Sequence, residues 1–353
     1  MSLFYEKIVC PLLFRQDPEW SHDQAIAALR LLSKFPWLCR MMEAYNQPHG
    51  VEPCELFGLS FPNLVGLAAG FDKNALCWRA AKALGFGFVE VGTVTYQRQP
   101  GNPRPRLHRL VEDEALINHM GFNNDGAEVV ARRLAKNFDA HKKPLPLGVN
   151  IGKSKTVSLD AAAEDYLNTF HRLADYADYF AINVSSPNTP NLQKLQGADY
   201  LRDLLRTLRD ADVDRAKKMG VKLIPMLVKI SPDLTFRQID EVLDVVQELG
   251  LAGIISCNTS LKLLSPAEER KGSLSGRPLL ERSVEMINYI HRATAGKLPI
   301  IGVGGITDVT GAGRMVDAGA SLVQLYTGLI YRGPFFPKQV AQSLAWRQKP
   351  WLD

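Results

Sequence analysis

The chain has 353 residues, 46% of them hydrophobic and 22% charged, with a formal net charge of +5 at pH 7. That is the size of one large α/β barrel plus an appendage, in a composition ordinary for a globular protein. The charge is mild and no block of like charges stands out, so a nucleic-acid role is excluded, while phosphorylated or acidic ligands and an anionic membrane surface stay compatible.

The five cysteines, Cys10, Cys39, Cys54, Cys77 and Cys257, are odd in number and scattered. This argues for a reducing compartment, without a disulfide framework or a zinc site. No apolar run is long enough to span a bilayer. No secretion signal or transit peptide is read at the N-terminus.

In chain order, residues 1–46 form a segment of their own. Phe4, Tyr5, Ile8, Leu12 and Leu13 predict a short helix ending near Arg15. Asp17-Pro18-Glu19 is a helix-start signal, with Asp17 as cap and Pro18 in the first turn. The helix it opens runs to about Ser33, and Pro36 breaks it. Trp37, Leu38, Met41, Met42 and Tyr45 add a further apolar cluster. Such density suits a helical cap on the main domain, or a helical pair whose apolar face meets a membrane or admits a lipophilic ligand.

From residue 47 to 353, short apolar runs alternate with helical stretches. The runs are Leu64–Ala68, Phe88–Val91, Leu145–Asn150, Tyr179–Val184, Ile224–Lys229, Gly253–Ser256, Pro299–Val303 and Ser321–Leu325. Eight such units favour a closed (β/α)8 TIM barrel with a small N-terminal helical extension over an open doubly wound sheet.

In a barrel the C-terminal strand ends build the site. Here they carry Ala69-Gly-Phe-Asp-Lys73, Thr93, Asn150, the loop from Asn183 to Thr189 within Ala181–Pro190, Lys229, Cys257-Asn-Thr259, Gly302-Val-Gly-Gly-Ile306 and Tyr326-Thr327. Lys229 follows Met226-Leu-Val228, so a bound anion or polar ring must offset its burial. The glycine-rich turns after the last two strands, with Ser275-Gly-Arg-Pro278 upstream, sit where barrels hold a phosphate. No Walker A loop or dinucleotide fingerprint is present. His22, His49, His108, His119, His141, His171 and His291 form no metal cluster, and facing carboxylates of the kind a glycosidase needs are not found. A set rich in amides, hydroxyls and lysine suits a planar, hydrogen-bonding ligand and an anionic cofactor tail. These residues alone do not separate Ser185 from Ser186.

The motifs Asn183-Val-Ser-Ser-Pro-Asn-Thr189, Ala69-Gly-Phe-Asp-Lys73, Asn118-His-Met-Gly-Phe-Asn123, Ser275-Gly-Arg-Pro278 and Ile301-Gly-Val-Gly-Gly-Ile306 closely resemble those of the dihydroorotate dehydrogenases. The resemblance covers nearly the whole chain. A serine where the soluble classes present cysteine, together with the N-terminal extension, makes it similar to the membrane-associated, quinone-dependent class. It implies oxidation of dihydroorotate to orotate on FMN in pyrimidine biosynthesis. Ser186 would be the base, helped by Thr189 and Phe122. Lys73, Asn118, His119, Met120, Gly121, Phe122, Asn183, Asn188, Asn258 and Thr259 would bind substrate. Ala69, Gly70, Phe71, Asp72, Lys73, Thr93, Asn150, Asn183, Lys229 and Cys257 would line the flavin, and Gly276, Gly305, Tyr326 and Thr327 its phosphate. Cys257 departs from the threonine or serine usual at that place.

The resemblance gives the extension a tunnel for ubiquinone or menaquinone, with His22, Arg109 and Tyr326 at its polar end. It also implies a peripheral protein on the cytoplasmic side of a bacterial inner membrane, with its helices on the membrane surface, and a monomer is expected. The competing readings are a related flavin barrel using fumarate or NAD, a non-catalytic barrel scaffold, and a sugar-phosphate barrel enzyme. The last requires carboxylates at the strand ends.

Overall fold

A computed structural model describes residues 2–136, 143–189, 192–264 and 272–348. His141 and Pro190 lie outside the described residues. Each of the eight apolar runs forms a strand. These are β1 (Val65–Leu67), β2 (Phe88–Val94), β3 (Leu147–Ile151), β4 (Tyr179–Asn183), β5 (Met226–Ile230), β6 (Gly253–Ser256), β7 (Ile300–Val303) and β8 (Leu322–Leu325). All pair in parallel and close in the order β6-β7-β8-β1-β2-β3-β4-β5. Every residue of β3, β4 and β5 is buried. Strands covered on both faces read as continuous apolar runs, which is why the sequence located them.

Helices fill most crossovers and stop where local chemistry says they should. Ala198–Met219 ends on Gly220 in the left-handed region. Phe236–Glu248 opens on a capping box between Thr235 and Gln238. Asp308 caps Val309–Asp317 by accepting from the Gly311 N–H at 2.7 Å.

Three features were not read from the sequence. A hairpin, Cys54–Leu56 with Leu59–Phe61, precedes the barrel and packs the Phe61 ring on Phe88 at 5.4 Å. The β2–β3 connection carries the strands Leu107–Leu110 and Ala115–Asn118. Ser273–Gly276, from the β6–β7 connection, joins them in a three-stranded antiparallel sheet.

The N-terminal extension is helical over residues 2–14, with a π-helical turn at Tyr5–Val9. Then come α1 (Pro18–Leu32) and α2 (Pro36–Asn46). Asp17 caps α1 by accepting from the Trp20 N–H at 2.8 Å. Leu31, Phe35, Trp37 and Met41 stay exposed. No described helix is long and apolar enough to cross a membrane.

Candidate active site

The C-terminal strand ends, the antiparallel sheet and α1 enclose one cavity. Its empty volume, mouth included, is about 1240 Å³. Ala69, Gly70, Lys73, Thr93, Asn118, Met120, Gly121, Phe122, Asn183, Ser186, Asn188, Lys229, Cys257, Asn258, Thr259, Gly276, Gly305, Tyr326, Thr327 and His22 all line it. Most of the residues singled out in the sequence therefore meet on one surface.

The two serines that the sequence left undivided occupy different places. Ser185 is fully buried and its hydroxyl is engaged by Asn183 Oδ1 and Asn258 Nδ2, each at 2.9 Å. Ser186 faces the cavity, and its Oγ accepts from the Asn188 N–H at 3.3 Å. Thr189 follows in the loop with its buried Oγ1 lacking any hydrogen-bond partner among the described residues. The Phe122 ring lines the cavity, and its backbone sits at φ +55°, a left-handed position that costs a non-glycine residue. Its carbonyl accepts from Asn124 Nδ2 at 2.7 Å and from Gln99 Nε2 at 3.1 Å, which hold that conformation.

Around the loop the amides interlock. Asn188 Nδ2 donates to Asn118 Oδ1 at 3.1 Å and to Ser273 Oγ at 3.0 Å, and Ser273 Oγ lies 2.7 Å from Thr259 Oγ1. His119 is not on the cavity wall; its Nδ1 lies 3.2 Å from Asn188 Oδ1. Lys73 is enclosed, and burial pushes its ammonium down to about 8. Its neighbour Asp72 points away, accepting from the Leu76 and Cys77 N–H groups at 2.8 Å each. Phe71 packs edge-on to His22 at 5.2 Å and to Tyr326 at 6.3 Å.

Asn150 lies below the wall. It accepts from Thr93 Oγ1 at 2.5 Å and from Asn183 Nδ2 at 3.2 Å. Cys257 contributes a neutral thiol, since burial pushes it up to about 12. At the other end of the cavity, Gly276 and Gly305 stand at φ +101° and +88°. A Cβ on Gly276 would fall 2.3 Å from the Glu114 carbonyl, and one on Gly305 would fall 2.3 Å from the Leu280 nitrogen. Only glycine fits either place. The Thr327 hydroxyl stands beside them, 3.0 Å from Ser275 Oγ.

The extension enters the site through α1. His22 lines the cavity, and burial together with the Lys73 charge pushes it down to about 3, so it stays neutral. Arg109 does not reach the wall. It donates to the Gln16 carbonyl at 2.7 Å and to Ser21 Oγ at 3.1 Å, tying the extension to the antiparallel sheet.

Three lining or supporting residues escaped the sequence reading. Glu19, on α1, lines the cavity and pairs with Arg106 at 2.7 Å and Arg104 at 2.9 Å. Burial would raise its carboxyl, but the two guanidinium groups outweigh burial and hold it below the ordinary value. Gln324 of β8 lines the cavity floor. Glu90 sits inside the run read as β2 and lies 3.8 Å from Lys229. A carboxylate in an otherwise apolar run was the available signal.

A closed (β/α)8 barrel whose strand ends hold amides, hydroxyls and two lysines is a barrel built to bind a planar polar ligand beside an anionic group. The family model for dihydroorotate dehydrogenase matches residues 53–347, and the chain belongs to that family. It is 48% identical over 363 aligned residues to the dihydroorotate dehydrogenase (quinone) of Chloroflexus aurantiacus, covering 99% of this chain and 98% of that one. It is 49% identical over 353 residues to the protein of the same name from Salinispora arenicola, covering 97% and 99%. Among solved structures, DHODH from Eimeria tenella in complex with ferulenol superposes with a TM-score of 0.80 at 37% identity, covering 93% and 90%.

Proposed function

We propose that this chain oxidises dihydroorotate to orotate with FMN as cofactor and passes the electrons to a quinone, ubiquinone or menaquinone. The observation that carries the reading is the cavity itself, where the Ser186 hydroxyl faces a wall of amides and two lysines. The wall fits the cofactor on two counts. Gly276 and Gly305 line the cavity at positive φ, in tight turns of the kind that present backbone N–H groups to a phosphate. The buried Gln324 Oε1, without a partner among the described residues, offers an acceptor to a ring N–H.

Ala69, Gly70, Thr93, Asn183 and Lys229 would hold the flavin ring, with Asn150 bracing Thr93 and Asn183 from below and Tyr326 and Thr327 completing the phosphate end. When bound, FMN supplies the hydride acceptor and the onward route for electrons. Lys73 and the amides of Asn118, Asn183, Asn188 and Asn258, with Thr259, fix the substrate's carboxylate and imide groups. Ser186 Oγ takes the proton from the substrate ring, and Thr189 and Phe122 shape its path outward. Lys229 places positive charge where negative charge builds on reduction. Residues 1–46 then act as a quinone-access segment on the membrane surface, and residues 47–353 as the catalytic barrel. A peripheral place on a bacterial inner membrane, as a monomer, completes the reading.

The test is anaerobic stopped flow on purified protein. A yellow protein that bleaches with dihydroorotate and is reoxidised by a soluble ubiquinone analogue is the expected result. Bleaching by dihydroorotate followed by reoxidation with fumarate or NAD, but not with quinone, would move the assignment to a soluble-acceptor flavin barrel. Colourless protein that takes up no flavin would leave a scaffold.

A further inference from the structure

Beneath the cavity floor, inside the barrel, lies a carboxylate with no part in the chemistry above. Glu90 is fully buried on β2. Its neighbours come from four other strands. Asn150 Nδ2 donates to its Oε1 at 2.8 Å, and Gln324 Nε2 donates to its Oε2 at 2.8 Å. The Tyr179 hydroxyl donates to Oε2 at 3.3 Å, and Lys229 Nζ stands 3.8 Å from Oε1. The Tyr179 ring reaches the carboxylate only because residue 148 is glycine; a Cβ there would lie 2.1 Å from the ring.

A carboxylate only accepts hydrogen bonds. Both amides must therefore turn their NH2 groups toward it and their carbonyls away. Asn150 then presents Oδ1 to the Thr93 hydroxyl and the Asn183 amide. Gln324 presents Oε1 upward, buried, on the cavity wall and without a partner among the described residues. A buried acceptor left without a donor is costly, so this atom marks where a ligand donor belongs.

We propose that Glu90 is a positioning residue: its buried carboxylate fixes the Gln324 carbonyl as the acceptor for the flavin ring's N–H edge and balances the charge of Lys229 beside it. This rests on the flavin reading above. Glu90 touches neither substrate nor cofactor; it acts through Gln324, Asn150 and Lys229. Replacing it with glutamine lets each facing amide flip, because glutamine can donate as well as accept. The same replacement leaves the Lys229 charge unbalanced under the ring.

The experiment strips the flavin from the full-length protein and titrates FMN back by fluorescence, for wild type and Glu90→Gln. The potential of the bound flavin is measured alongside. FMN binding at least tenfold weaker and a more positive potential are expected. Adding Lys229→Met to Glu90→Gln should carry the potential back toward the wild-type value, a reversal that loss of packing alone would not produce. Wild-type affinity and potential in Glu90→Gln would overturn the inference while leaving the flavin reading intact. If Glu90→Gln fails to fold, Gln324→Leu takes its place, and unchanged FMN affinity there would also overturn it. Wild-type protein that takes up no FMN overturns the flavin reading, and this inference falls with it.

Discussion

Barrel and extension are held in different ways. In β3, β4 and β5 every side chain is buried and nearly all are apolar. In α1 and α2 the buried residues are Glu19 and Asn46, both polar, while Leu31, Trp37 and Met41, with Phe35 between the helices, face outward. Asn46 Nδ2 is spent on the Ala83 carbonyl at 2.7 Å, and Glu19 on Arg106. The barrel is held by apolar burial, roughly 25 cal/mol per Å² removed from water. The extension adds directional polar pins to the partial packing of Ile26, Leu29 and Met42 on the core, and leaves much apolar surface exposed. An exposed patch of that kind is where a membrane or a lipophilic ligand would bind.

Breaking the barrel's chemistry gives the largest effect. Ser186→Ala should slow dihydroorotate-driven bleaching by about 10²–10⁴-fold, the usual worth of a positioned base. Reoxidation by quinone should stay near wild type if, as proposed, that step uses the extension's side of the cavity. Equal slowing of both half-reactions in stopped flow would erase the division of labour.

Breaking the extension's pins comes next. Arg106→Gln leaves the buried Glu19 with only the exposed Arg104, a loss on the order of 3 kcal/mol. Proteolysis should then cut near residues 47–53 while the barrel stays folded. Acid should loosen the same pin. The Glu19 carboxyl is held below its ordinary 4.5, so its stabilisation is whole above pH 4.5 and is lost as pH falls through the lowered folded value. Fluorescence of Trp20 and Trp37 on acid titration reads the release; an identical profile in Glu19→Gln would show that this pin is not what lets go.

The lysine between the two regions gives a smaller, graded effect. Burial pushes the Lys73 ammonium down to about 8 from its ordinary 10.5. Affinity for the orotate anion should hold below that value and fall up to tenfold per pH unit above it. Spectral titration from pH 7 to 10 checks this, and a flat profile would show that Lys73 does not carry the anion. Smallest of all is Trp37→Gln. The side chain is 58% exposed, so stability should move by less than about 0.5 kcal/mol. Binding to anionic vesicles should still weaken, because an apolar side chain is lost from the face; unchanged binding would place the membrane contact elsewhere.

The barrel was legible because its strands are buried on both faces and so read as unbroken apolar runs. Asp17 and Pro18 marked the start of α1 to the residue for the same local reason. What stayed hidden depends on partners far off in sequence. The strand Ser273–Gly276 pairs with Ala115–Asn118 across more than 150 positions, and no local pattern announces that. Glu19 reads as a first-turn acid until Arg106 is seen opposite it. Glu90 sits unremarked inside an apolar run, and Lys229 reads as awaiting a bound anion or polar ring although a carboxylate of the chain lies 3.8 Å away. Ser186 and Ser185 differ only in which way the loop turns.

The antiparallel sheet acts as a ruler. Ser273 stands at one end, touching Asn188 and Thr259, and Gly276 stands at the other. Three residue steps separate them, about 10 Å of extended chain. Pairing with Asn118 and Ala115 fixes both marks of that ruler. The gap cannot stretch or shrink without unzipping the sheet, so the cavity gauges the length of what it holds as well as its chemistry. On the reading proposed above, the substrate and the cofactor's phosphate are thereby kept a fixed distance apart.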